Sequence, residues 1–132
     1  MHAEQRAAAL LAAAESVSLA YLDENGAPVI DAMELVTARE ISEIVLITRR
    51  DSRKAGCLRR DPRCCIEYHK DEEGVSLSGM IEVIEAAFLP LLPPAYAARL
   101  ERRGAESYCL LHFHARTVRI SLDGKSYQKA LC

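Results

Sequence analysis

The segment EIVLIT (Glu43–Thr48) leads directly into RRDSRKAGCLRRDPR (Arg49–Arg63). The first part is apolar and β-branched, which predicts a buried strand. Asp51 and Ser52 then supply an N-cap for a short helix, and Asp61-Pro62 ends it. A strand that leads directly into a capped helix therefore lies at the centre of the predicted fold.

The residues from Thr48 to Arg63 carry seven basic and two acidic side chains, a local charge of +5 in a chain of net charge −2. The first-turn N–H groups of a capped helix have no helical carbonyl to pair with. With Ser52, Arg53 and Lys54 beside them, they predict a phosphate site. The alternative is a solvated helix whose aliphatic stems cover the core edge. Nucleic-acid binding is disfavoured because no aromatic residue is interleaved with the arginines.

The bulk composition predicts one soluble domain spanning residues 1–132. Half of the residues are apolar and 27% are charged, as in ordinary globular proteins. No stretch is long and apolar enough to cross a bilayer. Glu4 and Glu15 interrupt any signal-peptide pattern at the N-terminus, so we expect a cytoplasmic protein that binds no membrane.

The five cysteines are Cys57, Cys64, Cys65, Cys109 and Cys132, an odd number without a Cys-x-x-Cys pair. This pattern predicts reduced thiols in a reducing compartment. If the vicinal pair Cys64-Cys65 lies in a strand, its side chains point to opposite faces. A buried structural role is favoured for these cysteines, and a redox role of the pair is the alternative.

Hairpin-joined strands with helices between them predict a mainly β protein, a closed or half-closed antiparallel barrel. An alanine-rich helix within residues 1–15 is expected to pack on the outside of the fold, and residues 125–132 are expected to form a C-terminal tail. A further helix is predicted at Ala95–Arg103. Gly79, inside a strand, indicates a bulge or a close backbone approach. The predicted strands are Ser16–Tyr21, Pro28–Thr37, Glu43–Thr48, Arg63–Lys70, Val75–Ile84, Tyr108–Ala115 and Thr117–Leu122.

Four motifs in order resemble one known family. They are Gly26-x-Pro28 followed by Met33, the strand and basic helix from Thr48 to Arg63, Val75-x-Leu-x-Gly79-x-Ile-Glu-Val, and Thr117-Val-Arg-Ile-x-Leu-Asp-Gly124. Together they resemble the pyridoxamine-phosphate-oxidase-like family of flavin-binding split barrels, in particular its short general-stress-protein type. The resemblance implies a six- to seven-stranded antiparallel split β-barrel.

The same resemblance implies a homodimer with flavin mononucleotide (FMN) in two grooves between the subunits. In some similar proteins a deazaflavin or haem takes the place of FMN. Carried over onto this chain, the resemblance assigns the phosphate to Thr48, Ser52, Arg53 and Lys54, and the flavin ring to Met33 and Glu34. The phosphate assignment agrees with the charge pattern of the basic segment, which is independent of the resemblance.

Two departures from that family bear on function. Asp31-Ala32 stands where similar proteins commonly carry Arg-Pro, and the chain has no tryptophan. An acid in place of a cation weakens attraction for a phosphate dianion. The leading expectation is an FMN-dependent oxidoreductase acting on an unidentified small substrate, with no side chain identified for acid–base chemistry. The alternatives are a non-catalytic binding or sensing domain and a barrel without ligand that serves as an interaction module.

His112-x-His114 is a separate candidate. On a strand this spacing places both imidazoles on one face, where they could hold a metal ion. No third ligand is evident nearby in the sequence. The alternation is therefore assigned to a polar strand face, and no metal site is predicted.

Overall fold

The computed structural model describes residues 2–131, which form seven strands and three α-helices. The helices are α1 (Ala3–Ala12), α2 (Arg53–Arg60) and α3 (Pro94–Arg103), with short 3₁₀ turns at Leu89–Leu91 and Ala105–Ser107. The strands are β1 (Ser16–Leu22), β2 (Pro28–Glu40), β3 (Glu43–Arg49), β4 (Arg63–Lys70), β5 (Glu73–Ile84), β6 (Tyr108–Leu122) and β7 (Lys125–Ala130). Among the helices of residues 2–131, none has the length and apolar character that crossing a bilayer requires.

All strand pairings are antiparallel, in the order β3-β2-β1-β4-β5-β6-β7, and a further pairing of β3 with β6 closes a six-stranded barrel. The two halves of β6 have different neighbours along one edge. Tyr108–His114 pairs with β3, whereas Thr117–Leu122 pairs with β7. The sheet is therefore a closed barrel with one strand added beyond the closure, which confirms the predicted split barrel.

The main core fills the barrel with inward side chains of every barrel strand, among them Leu19, Leu46, Ile66, Leu77 and Phe113. Both α1 and α2 pack against the barrel strands. The N-terminal helix, expected to pack on the outside of the fold, contributes two fully buried residues, Ala7 and Leu11, to the main core. Alanine at the contact lets the helix backbone approach the strands closely, although the helix has little amphipathic pattern overall.

A second, smaller core lies on the outer face of the barrel. Leu110 of β6 is fully buried there against Phe88, Leu92 and Leu100 from the segment between β5 and β6. The helix in this segment begins at Pro94 and ends at Arg103, with Gly104 as its C-cap. The φ of Gly104 is 91°, a value that a residue with a Cβ rarely adopts. The predicted helix is thus confirmed.

The two predicted strands at Tyr108–Ala115 and Thr117–Leu122 are one strand, β6. Register against β5 explains the misreading: Ser78 is opposite Thr117, but Gly79 is opposite Ala115, so Arg116 is an extra residue. Such a bulge reverses the inward–outward alternation, which in sequence looks like a break. A Cβ on Gly79 would overlap the His114 carbonyl oxygen and come within 2.9 Å of Ala115 Cα, so the predicted close approach is confirmed.

Two other boundaries differ from the sequence prediction. β2 continues three residues beyond the predicted end at Thr37, to Glu40, through two register shifts. The expected tail at residues 125–132 contains β7, which pairs with β6 across the Asp123-Gly124 turn. The side chains of β7 are exposed, and so the strand carries no apolar alternation by which it could be recognised.

Candidate functional site

The start of α2 has the geometry expected for binding an anion. Ser52 is its N-cap, with an extended backbone, and its Oγ accepts a hydrogen bond from the Ala55 N–H at 3.1 Å. Thr48 Oγ1 lies 3.4 Å from Ser52 Oγ, so the end of β3 and the start of α2 present two hydroxyls together. The N–H groups of Arg53 and Lys54 belong to the first turn, where no helical carbonyl is available. Two hydroxyls and the first-turn amide donors therefore lie close together at the N-terminus of α2, which is also the positive end of the helix dipole.

Lys54 turns from the helix towards β2. Its Nζ lies 3.0 Å from Met33 Sδ and 3.4 Å from an oxygen of Asp31, and only 17% of its side chain is exposed. That Asp31 oxygen also accepts a 2.8 Å hydrogen bond from the Tyr21 hydroxyl. Burial, together with this bond to a carboxylate, raises the pKa of Tyr21 to about 12. Asp31 therefore points to the same place as Lys54 and partly neutralises it.

Arg53 points in another direction, towards the turn between β1 and β2. Its guanidinium hydrogen-bonds the carboxylate of Glu24 and lies 3.7 Å from Asp23. The hydrogen bond from Arg53 is the main reason that the pKa of Glu24 falls to about 2. An anion at the start of α2 would have to compete with Glu24 for this arginine.

The remaining cations of the basic segment also have partners within the fold. Arg59 pairs with Glu85 at 2.7 Å, Arg60 with Glu24 at 3.6 Å, and Arg63 with Asp61 at 2.7 Å. Arg49 pairs with Asp51, and Arg50 donates to the Glu85 carbonyl. The local charge of +5 is therefore largely offset by carboxylates that are distant in sequence.

The six predicted site residues do not form one group. Met33, Thr48, Ser52 and Lys54 lie around the start of α2, with Arg53 turned towards Glu24. Glu34 is exposed and follows the buried Met33, so it projects from the other face of β2. Burial is the main cause of the raised pKa of Tyr96 on α3, and the charge of the Glu34 carboxylate adds to it.

Sequence reasoning missed a groove of about 550 Å³ on the outer face of the sheet, lined partly by Leu22, Met80 and Arg116. A row of outward residues runs across it, one from each of five paired strands. This row, here called the outer band, consists of Ile30, Ala20, Cys65, Ser78 and Thr117. Ile30 is 70% exposed. The available signal was the run of small outward residues in β1 (Ser16, Ser18 and Ala20) and at Ser76 and Ser78 of β5.

The vicinal cysteines have the predicted opposite orientations. Cys64 is buried in the barrel core, and burial raises the pKa of its thiol to about 12. Cys65 is partly exposed in the outer band, 3.5 Å from the Ser78 hydroxyl. Cys57, Cys64, Cys65 and Cys109 are free thiols, while Cys132 lies outside the described residues.

A six-stranded split barrel with a capped helix directly after its third strand defines a class of small barrel proteins, and comparison with known proteins identifies the family. The sequence pattern of the family described as pyridoxamine 5'-phosphate oxidase matches residues 3–121. The chain therefore belongs to the pyridoxamine 5'-phosphate oxidase family. Among curated proteins, none is similar enough in sequence to count as a match.

Solved structures share the fold at low sequence identity. A Clostridium acetobutylicum protein related to general stress protein 26 of Bacillus subtilis has a TM-score of 0.82 at 21% identity, covering 96% of this chain and 93% of its own. A haem-binding protein from Mycobacterium smegmatis has a TM-score of 0.79 at 19% identity, covering 98% and 58%. A protein named F420 reductase has a TM-score of 0.65 at 13% identity, covering 83% and 93%.

Proposed function

We propose that this chain binds FMN and holds its phosphate at the start of α2. The observation that carries the proposal is the convergence of Ser52, Thr48 and the first-turn amides beside Lys54, in a chain of this family. A phosphate dianion fits such a helix N-terminus because it accepts several hydrogen bonds and is stabilised by the helix dipole.

Binding would require two ion pairs to be exchanged. Lys54 would leave Asp31 and Met33, and Arg53 would leave Glu24, so that both cations face the phosphate. Asp31 would keep the Tyr21 hydroxyl as a hydrogen-bond partner, which lessens the cost of its separation from Lys54. The affinity for FMN would therefore be lower than the number of basic residues suggests.

The outer groove is a second part of the proposal. Its volume of about 550 Å³ lies within the range of cofactor sites, which is roughly 300–1,000 Å³. A second copy of the chain packed on the outer band would cover Ile30 and turn the groove into a cleft for the flavin ring. We therefore propose a homodimer whose interface completes the cofactor site. Neither Met33 nor Glu34 lines this groove, and the two side chains project from opposite faces of β2, so at most one of them would face a ring bound there.

Bound FMN would supply hydride or electron transfer, and the proposed activity is that of an oxidoreductase acting on a small molecule. The chain's own contribution would be to bind the phosphate and to exclude water from the ring. The second candidate is a non-catalytic flavin, deazaflavin or haem protein. It is favoured by Asp31, which neutralises the most buried cation of the site, and by neighbours named for haem and F420.

The first test is the visible absorption of purified protein before and after incubation with excess FMN and desalting. Flavin bands that survive desalting support the proposal. A protein that stays colourless after FMN and instead shows a Soret band with haem supports the second candidate.

The phosphate assignment is tested with the double variant R53A/K54A. FMN affinity should fall at least about tenfold while riboflavin affinity changes little, because riboflavin lacks the phosphate. The matched control is R102A/R103A, which removes the same charge from exposed residues in the last turn of α3. Equal losses for FMN and riboflavin, or an equal loss in the control, would contradict the assignment.

A further inference from the structure

The two histidines of β6 meet a glutamate from β3 on the outer surface of the barrel. His114 is directly opposite Glu43 in the β3–β6 pairing, and its Nδ1 lies 3.9 Å from a Glu43 carboxylate oxygen. His112 is one alternation away, with its ring centroid 4.1 Å from that of His114. One possible ligand atom from each of the three residues lies within 4.8 Å of the others. The third ligand that the sequence did not reveal thus comes from a residue more than half the chain away.

A fourth polar side chain supports the arrangement from the opposite side. Glu82 on β5 lies beside His112 in the β5–β6 register, and its carboxylate is 3.8 Å from His114 Nε2. His114 therefore has a carboxylate facing each of its ring nitrogens. In metal sites this is a common arrangement, because one nitrogen binds the ion while the other donates to a carboxylate that orients the ring.

The cluster is acidic, and among the described side chains, which do not include that of Arg39, it has no basic partner. The ion pairs of Glu43 and Glu82 are both with His114, and Glu40 nearby accepts a hydrogen bond from Ser42. The two carboxylates repel each other, and a bound cation would relieve that repulsion.

We propose that Glu43, His112 and His114 bind a divalent transition-metal ion such as Zn²⁺, with Glu82 orienting His114. Two imidazoles and one carboxylate are a ligand set that zinc accepts, with a fourth position left open. Ligand atoms of a tetrahedral zinc site lie about 3.4 Å apart, so modest side-chain rotations would complete the site from the present spacing of at most 4.8 Å. All three ligands stand on paired strands, which fixes their backbones relative to one another.

The open position would face a cavity. A pocket of about 340 Å³ is lined by His112 and Glu43 together with Thr37, Val45, Leu91 and Leu110. A water molecule or a small ligand on the metal could therefore reach solvent through this pocket. The site is separate from the proposed phosphate site, since Glu43 begins β3 and Thr48 lies one residue before its end, roughly 16 Å away along an extended chain.

The experiment is a titration of the purified full-length chain with Zn²⁺ alone, followed by calorimetry and by NMR of the histidine ring nitrogens. We expect one Zn²⁺ per chain and shifts confined to the rings of His112 and His114. The variants H114A and E43Q change exposed side chains, so the fold should be retained, and each should raise the dissociation constant at least about tenfold. E82Q should raise it about tenfold through loss of the orienting carboxylate.

The matched control is H69A. His69 is also an exposed strand histidine, and its Nδ1 lies 2.8 Å from a Glu67 carboxylate oxygen. Among the described residues, however, it does not belong to a group of three possible metal ligands. Zinc affinity in H69A should stay within about twofold of the parent value. Unchanged affinity in the H112A/H114A double variant, or ring shifts at His69 in place of His112 and His114, would overturn the proposal. Zinc bound by cysteine would also overturn it, because the histidine rings would then not shift.

Discussion

The two ends of β3 carry opposite electrostatic arrangements. At the Thr48 end the cations of α2 already have carboxylate partners, as Arg53 has Glu24 and Lys54 has Asp31. At the Glu43 end two carboxylates have only the imidazole of His114 as a partner in the described residues. An anion arriving at the first end must displace a partner, whereas a cation arriving at the second end displaces no cation among the described side chains.

This difference shows why a local count of charge is a poor guide to a binding site. The basic segment stands out in sequence, yet its partners come from β2 and from the turn after β1. The acidic cluster is inconspicuous in sequence because its members lie on three different strands. Binding strength depends on the charges that remain unpaired after folding, and sequence distance hides most of those pairings.

The largest effect on stability is expected from replacing Gly79, which packs against the backbone of His114 near the Glu43 end of β3. In G79A the new methyl group would overlap the His114 carbonyl and force β6 away from β5, so the free energy of unfolding should fall by about 3 kcal/mol. Urea denaturation measures this loss. The control is G56A in α2, where no atom lies within 4 Å of the new Cβ and helix propensity should stabilise the chain by about 0.5–1 kcal/mol. Equal effects of both changes would mean that the bulge does not require glycine.

A smaller loss of stability is expected from S52A, at the Thr48 end of β3. Loss of the hydrogen bond from the Ala55 N–H should lower the free energy of unfolding by about 1 kcal/mol. FMN affinity should fall as well, while riboflavin affinity should not. The control is D51A, since Asp51 is highly exposed and pairs only with Arg49 among the described side chains. A stability loss in D51A as large as that in S52A would show that the cap is not the cause.

The smallest effect is expected from E24Q, which frees one cation at the start of α2. In E24Q, Arg53 loses its charged partner, so FMN affinity should rise about two- to fivefold, as expected for an exposed ion pair. The same variant has a predictable acid dependence. The pKa of Glu24 falls from its ordinary 4.5 to about 2 on folding, so the ion pair stabilises the fold above pH 4.5 and is lost as the pH falls towards 2. E24Q should therefore lose less stability across that interval.

The control for E24Q is D61N. Asp61 also has its pKa lowered to about 2, by a hydrogen bond from Arg63. D61N should likewise reduce the loss of stability in acid, but it frees no cation at the start of α2 and should leave FMN affinity unchanged. Titrations of FMN at neutral pH and of stability between pH 5 and 2 separate the two effects. A rise in FMN affinity in D61N would show that long-range charge, and not release of Arg53, controls binding.

Local sequence predicted the barrel strands because alternation in β1, β4 and β5 reports burial directly, and the continuous apolar run Ile44–Ile47 predicts β3. It failed at Arg116, where a bulge shifts the phase of alternation, and at β7, whose side chains are all exposed. For the candidate site, the sequence correctly indicated the Ser52 cap, since capping is a local interaction. The sequence could not indicate that Asp31 and Glu24 occupy the cations, or that Glu43 joins the histidines, because these contacts depend on strand pairing between distant segments.

The closure of the barrel by β3 and β6 also affects the order of folding. Glu43 and His114 are separated by more than half of the chain, whereas β1–β2, β4–β5 and β6–β7 are local hairpins. Pairings between distant segments carry the largest entropy cost of loop closure and tend to form late. A metal ion held by residues from both strands could bind only after this step. It would therefore stabilise the β3–β6 pairing and slow the opening of the barrel.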